Sequence, residues 1–305
     1  MLDENTAELI ITPDGNINNI AFAEEVVASA PNIRGWQFTA LKPEETREDF
    51  ALRKGDIEVS TDNLFFVANE YWERRDEIDI SIVHPELNDE NREEITHAVY
   101  LYLDNFLGEL EFATSIDKLT VMGSREVERP LSPTRELKSY LAKRQSEFVE
   151  KYHGFRVNTD DDAFTMMEAE FESGHPLIAV INTTLLMWDR KPSHPWIAGI
   201  QFTFSDNDNF GLPGETTYQL LGKIEDEILS EMKDFEGYLN VGRQTANNER
   251  IVYFACKDFR KPSKVFDRIQ KKYSDRLGID FDIYKDKYWQ SFDRFVPVEN
   301  SEHVN

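Results

Sequence analysis

Between Trp196 and Tyr284 the spacing of apolar residues switches between a period of two and a period of about 3.6, and the order of the switches leaves few folds open. Ile200, Phe202 and Phe204 alternate in 196–204, as in a strand with one buried face. A turn-rich stretch follows, with Pro213 and two glycines. Leu220, Leu221, Ile224, Ile228 and Leu229 then recur at helical spacing within 215–234, and Glu225, Asp226, Glu227 and Glu231 fill the other face. Residues 238–245 and 250–257 read as a hairpin across Asn247-Asn248, because Asn tolerates positive φ. Val265, Phe266, Ile269 and Tyr273 line a second helix, with Pro262 in its first turn and Gly278 as its stop. Ile279–Tyr284 alternates as a last strand. The order is the ferredoxin-like split β-α-β-β-α-β arrangement. Strands over 164–171 and 176–186 extend its sheet.

The first half uses the same alphabet. Strands are expected over 9–12, 36–41, 63–72, 78–83 and 118–122, and helices over 21–30, 90–107 and 133–152. Gly108 stops the second helix, and Leu137, Leu141, Phe148 and Tyr152 share one side of the third. A chain of 305 residues is long for a single core. The expectation is an α+β protein of two domains, 1–153 and 154–305, the second ferredoxin-like with extra strands.

Charge then narrows the partners. Asp and Glu number 58 against 34 Lys and Arg, a net charge of −24. Residues 1–152 carry 32 acids and 16 bases. Such a surface repels nucleic acid and anionic membrane. The span 257–276 runs the other way, with eight basic residues against three acids. Lys261, Lys264, Arg268 and Lys272 share one helix face there, a docking surface for an acidic partner if the face is not simply solvated. No window approaches a membrane span, and the first residues lack a signal-peptide layout, so the cytoplasm is the expected compartment.

Catalytic chemistry finds little support. One cysteine, Cys256, excludes an internal disulfide or a multi-thiolate metal site, and its apolar strand makes it a small core residue. Asp206–Gly211 opens like a calcium loop, but Phe210 and Thr217 stand where oxygen ligands are required. The acids Asp160, Asp161 and Asp162 are expected to face water. His84, His97, His175 and His194 are scattered and read as turn or surface residues. Trp188 and Trp196 flank a proline-bearing loop, as a binding patch or as anchors to the core. Arg243 is expected to pair with Glu215 or to contact a ligand. No catalytic residue, metal site or cofactor is expected.

Gly211-Leu-Pro-Gly-Glu215, Val241-Gly-Arg-Gln-Thr245, Ile251-Val-Tyr-Phe254 and Tyr288-Trp289 followed by Pro297 resemble the bacterial domain of unknown function 695 family. Ala30-Pro-Asn-Ile-Arg-Gly-Trp36 and Leu103-Asp-Asn-Phe-Leu-Gly-Glu109 resemble regions joined to that domain. The resemblance implies no activity. More remotely, the acidic α+β character is similar to the ribonuclease E activity regulator B family. The expected function is a non-enzymatic interaction or regulatory module with an acidic or basic protein partner. An acidic nucleic-acid mimic and a metal-dependent carboxylate hydrolase are the alternatives.

Overall fold

A computed structural model describes residues 5–47, 49–55, 57–152, 158–206 and 209–296. The chain divides into two compact units, Met1–His153 and Gly154–Asn305.

In the first unit, β1 (Ala7–Ile11) and β2 (Trp36–Ala40) pair in parallel, joined by α1 (Ile17–Ala28). Asn16 caps α1 by accepting from the Asn18 amide. A hairpin follows, β3 (Ala51–Lys54) and β4 (Ile57–Ser60). Then come β5 (Phe65–Asn69), β6 (Asp79–His84), α2 (Arg92–Leu107), α3 (Glu109–Ser115), β7 (Lys118–Gly123), β8 (Ser132–Pro133) and α4 (Leu137–Tyr152). Their sheet runs β7-β6-β5-β8, with β6 and β7 parallel and the α2–α3 pair as the crossover. Every residue of β6 is buried, as expected of a central strand. Ile80, Ile82 and Phe66 pack under Ile95, Val99, Tyr102 and Leu103 of α2 and Leu137 and Leu141 of α4. The third predicted helix thus begins four residues late, because a 3-10 turn at Thr134–Glu136 precedes it.

In the second unit, β9 (Phe164–Glu170), β10 (Pro176–Asn182), α5 (Thr183–Leu186), β11 (Trp196–Thr203), α6 (Glu215–Glu231), β12 (Tyr238–Ala246), β13 (Glu249–Cys256), α7 (Arg260–Tyr273) and β14 (Gly278–Lys285) form one antiparallel sheet with its helices. The strand order is β14-β11-β13-β12-β10-β9. Helix α6 carries the chain from β11 past β13 to β12, and α7 carries it from β13 past β11 to β14. The expected strand over 176–186 ends early because Asn182 caps α5, its side chain accepting from the Leu185 amide.

Both faces of this sheet are buried over its central strands β11, β13 and β12. Alternation sends Ile200, Phe202, Val252 and Phe254 to the helix side, where Phe266 of α7 meets Phe254 and Phe281. Ile197, Leu239, Val241 and Ala255 point the other way, against Leu185, Leu186, Trp289, Phe292 and Phe295. The final turn Gln290–Phe295 thus closes the second face. Trp289 is fully buried, and its indole N–H donates to the His194 carbonyl at 2.9 Å. Trp188 lies 6.1 Å from Trp289, and Trp196 stacks edge-on against Phe259, so both tryptophans anchor their loop to the core. At the β12 bulge, Gly242 (φ 132) lies so close to β10 that a Cβ there would sit 2.2 Å from the Val180 carbonyl oxygen.

Candidate functional site

The first unit holds an open cleft of about 920 Å³. One wall is a face of α4, with Lys138, Ala142, Gln145, Ser146 and Val149 recurring at helical spacing. The opposite wall is the end of β2 and the segment Lys42–Glu44, and Leu107 and Leu110 line the floor. Gly108 (φ 82) lets the two segments approach, since a Cβ there would lie 2.8 Å from the Glu44 amide nitrogen. Beside it, fully buried Glu109 locks the wall in place. Its amide donates to the Lys42 carbonyl (3.0 Å). Its carboxylate accepts from the Thr12 hydroxyl (2.8 Å), the Gly15 amide (2.7 Å) and the Lys42 amide (3.1 Å).

The rim of this cleft is acidic: Glu24, Glu44, Glu111 and Glu150. Its two cations are turned to other tasks. Lys42 Nζ bonds Asp104 at 2.8 Å and Asp14 at 3.1 Å, and the Asp104 hydrogen bond raises its ammonium above the ordinary value. Lys138 Nζ bonds Glu44 and the Glu45 carbonyl and lies over the Phe106 ring. Glu111 and Glu150 form no ion pair among the described residues. An apolar floor below the carboxylates of Glu111 and Glu150 suits a cationic, amphipathic ligand. The sequence marked Gly108 as a helix stop and Glu109 only as part of a motif; their joint role depends on a contact with residues some 65 positions earlier (Glu109 amide to Lys42 carbonyl).

The predicted basic face on α7 has a different employment. Lys272 Nζ bonds the Glu227 carboxylate at 2.8 Å, Arg268 bonds Glu231, and Lys261 bonds Glu236. The partners descend one element as they ascend the other, so α6 and the turn after it are cross-braced to α7 by three ion pairs. Lys264 stands exposed beside them. The structure thus brings Lys261, Arg268 and Lys272 into a ladder with acids of their own unit. Lys272 holds Glu227 below the ordinary carboxylate value, and Glu227 holds Lys272 above the ordinary ammonium value. A carboxyl lowered on folding contributes stability that is present above its unfolded value of 4.5 and lost as pH falls through its folded one. The unfolding free energy is therefore expected to fall as pH drops below 4.5. Lys272→Met should flatten that fall; equal acid sensitivity in denaturant titrations of both proteins would remove the cross-brace from the account.

Deeper in the same unit, Glu225 corrects the helical-wheel reading. It faces the sheet and is buried, not solvated. Its two oxygens accept from Arg243 of β12 (2.5 Å) and Arg250 of β13 (2.9 Å). Arg250 also donates to the Thr245 hydroxyl and lies under the Tyr218 ring. The partner of Arg243 is thus Glu225 and not Glu215, which accepts from Gln219 one turn along the helix.

Cys256 is buried, and burial pushes its thiol well above the ordinary value, so it stays protonated. His84 and His194 are buried rather than on the surface; His84 Nδ1 accepts from the Glu86 amide, and His194 meets Ser193 and Trp188. Asp206 accepts from the amide of Gly214, the residue just before α6, while Asn207 and Asp208 of the same stretch lie outside the described residues. Among the described residues no group of three or more His, Cys, Asp or Glu side chains is arranged to hold a metal ion.

The bulge at Gly242, the Arg243–Glu225 pair and the closing Trp289 all fall within one matched segment. Residues 173–296 match a family of unknown function, DUF695. No curated protein and no solved structure matches the chain. The DUF695 segment begins in the turn between β9 and β10 and ends with the closing turn at Phe295. It holds the ion-pair ladder and the buried Glu225–Arg250 pair, whereas the acid-rimmed cleft lies wholly outside it.

Proposed function

We propose that the protein is a non-enzymatic cytoplasmic interaction module whose first unit receives a cationic, amphipathic helix of a partner protein. The observation that supports this is the apolar cleft beside α4, ringed by Glu24, Glu44, Glu111 and Glu150. Ala142 and Ser146 are small, so a second helix can approach α4 closely, and Val149 is more than half exposed where it would land. Among the described residues no helix is long and apolar enough to cross a membrane.

The test is titration of the full chain with a designed Leu/Lys amphipathic peptide, and with its Leu/Glu counterpart. The Leu/Lys peptide is expected to bind, to weaken with salt, and to weaken by about tenfold or more on Glu111→Lys/Glu150→Lys. Ala142→Trp should block it by filling the cleft. Binding indifferent to both variants, or no binding, sinks the proposal. The acidic mimic of nucleic acid is the second reading, favoured by the 32 acids against 16 bases of residues 1–152. It predicts that the chain displaces RNA from a basic RNA-binding enzyme, and undisturbed RNA binding would remove it.

A further inference from the structure

The six-stranded sheet is wider than the helices that cover it. Helix α6 meets β12 and β13 through Glu225, α7 meets β13 and β14 through Phe266, and β9 lies at the far edge, touched by the short α5. The hydrogen bonds at its two ends fix which way its backbone groups point. The Thr183 amide donates to the Ala163 carbonyl, and the Phe171 amide donates to the His175 carbonyl, both at 2.9 Å. An antiparallel ladder alternates bonded and non-bonded pairs. Residues 165, 167 and 169 therefore bond β10, and the amides and carbonyls of Phe164, Met166, Glu168 and Glu170 point outward. The side chains of these same four residues stand on the helix-bearing face, because Met166 pairs with Val180, which pairs with Arg243. Phe164 is 49% and Met166 63% exposed there.

Natural edge strands are usually blunted by lysine, proline, a bulge or a covering element. Strand β9 carries no lysine, proline or bulge, and its register with β10 is unbroken over seven pairs. On the opposite edge, β14, the apolar side chains Ile279, Phe281 and Ile283 are partly or fully buried. Charge selects the occupant. Glu168 and Glu170 form no ion pair among the described residues, and exposed Asp160 and Asp161 precede the strand. A second copy would bring another net charge of −24 to this edge.

We propose that β9 is a docking edge that accepts an extended, basic segment of a partner as a seventh, antiparallel strand. The side-chain order on β9 sets the pattern of that segment. Lysine or arginine belongs opposite Glu170 and Glu168, and apolar residues belong opposite Met166 and Phe164. In the incoming chain this reads basic-x-basic-x-apolar-x-apolar. The site is in a different unit from the cleft above and stands or falls apart from it.

The test uses the full chain and a synthetic peptide, Lys-Thr-Lys-Thr-Val-Thr-Val, with a glutamate-for-lysine version as control. Met166→Pro is the informative variant, because it removes an outward N–H that the native ladder does not use. The lysine peptide is expected to bind and to slow amide exchange at 164, 166, 168 and 170. Met166→Pro should weaken it by about tenfold or more without lowering the melting temperature. Glu168→Lys/Glu170→Lys should reverse the preference toward the glutamate peptide, a readout that holds even if the proline variant folds poorly. No binding, or binding indifferent to both variants, overturns the proposal. Concentration-dependent dimerisation abolished by Met166→Pro also overturns it, by making a second copy the occupant.

Discussion

Glu225→Ala is expected to lower the unfolding free energy by about 3–5 kcal/mol, the usual cost of stranding a buried charge by removing its partner. The stranded group is Arg250, whose side chain is 4% exposed. Burial already pulls its guanidinium below the ordinary value, and Glu225 is the chief opposing influence. Arg243, a third exposed, can turn to water when Glu225 is lost; Arg250 cannot. The series is therefore asymmetric. Arg243→Ala should cost only about 1 kcal/mol, near the value of a partly solvated pair. Glu225→Leu combined with Arg250→Met should recover most of the loss, because an apolar replacement of a whole buried pair is often neutral or better. Urea denaturation of the four proteins decides this. A Glu225→Ala loss no larger than that of Arg243→Ala would show that Arg250 finds water after all.

Glu109→Ala is the second large effect, and it is expected to cost about 3 kcal/mol or more. The carboxylate serves three donors, two of them backbone amides that no side-chain rotation can redirect. A donor left without an acceptor away from water costs about 1–3 kcal/mol, and the part-buried Gly15 and Lys42 amides carry that cost, since the exposed Thr12 can turn its hydroxyl to water. Glu109→Gln keeps one carbonyl oxygen and should fall between wild type and alanine. Because Glu109 ties the Thr12–Gly15 turn and the Lys42 segment to the start of α3, the cleft wall should loosen with it. Affinity for the Leu/Lys peptide is then expected to fall in Glu109→Ala even at temperatures where the protein is folded. An alanine variant of wild-type stability and affinity would show that water replaces the carboxylate at no cost.

Local signals carried most of the fold. The period-two runs at 196–204 and 250–257 and the helical stripe Val265, Phe266, Ile269 and Tyr273 became β11, β13 and α7; the helix buries its stripe on the sheet, and the two strands are buried on both faces. The hairpin β3–β4 leaves little trace in the sequence because Ala51–Lys54 has little alternation, and α3 is masked because Gly108 interrupts a helical run that resumes at once. The sites were less legible for a physical reason. Glu225 and Glu227 look alike on a helical wheel, and only the register of β12 and β13 separates them, by placing Arg243 and Arg250 under one and α7 beside the other. The basic face of α7 was visible in the sequence, but its partners lie on α6 and the turn after it, from 25 to 45 residues away. The acid-rimmed cleft is assembled from α1, β2, the α2–α3 junction and α4, so no single stretch carries its signature.

The closing of the second sheet face by Trp289, Phe292 and Phe295 has a consequence during synthesis. Strands β10 to β13 can pair, and α6 can settle on one side, while Ile197, Leu239, Val241 and Ala255 still look onto solvent. A greasy surface of that kind invites chaperones and neighbouring chains. It stays open until Phe295 has emerged from the ribosome, so the vulnerable interval is set by how fast the codons between β13 and that closing turn are read.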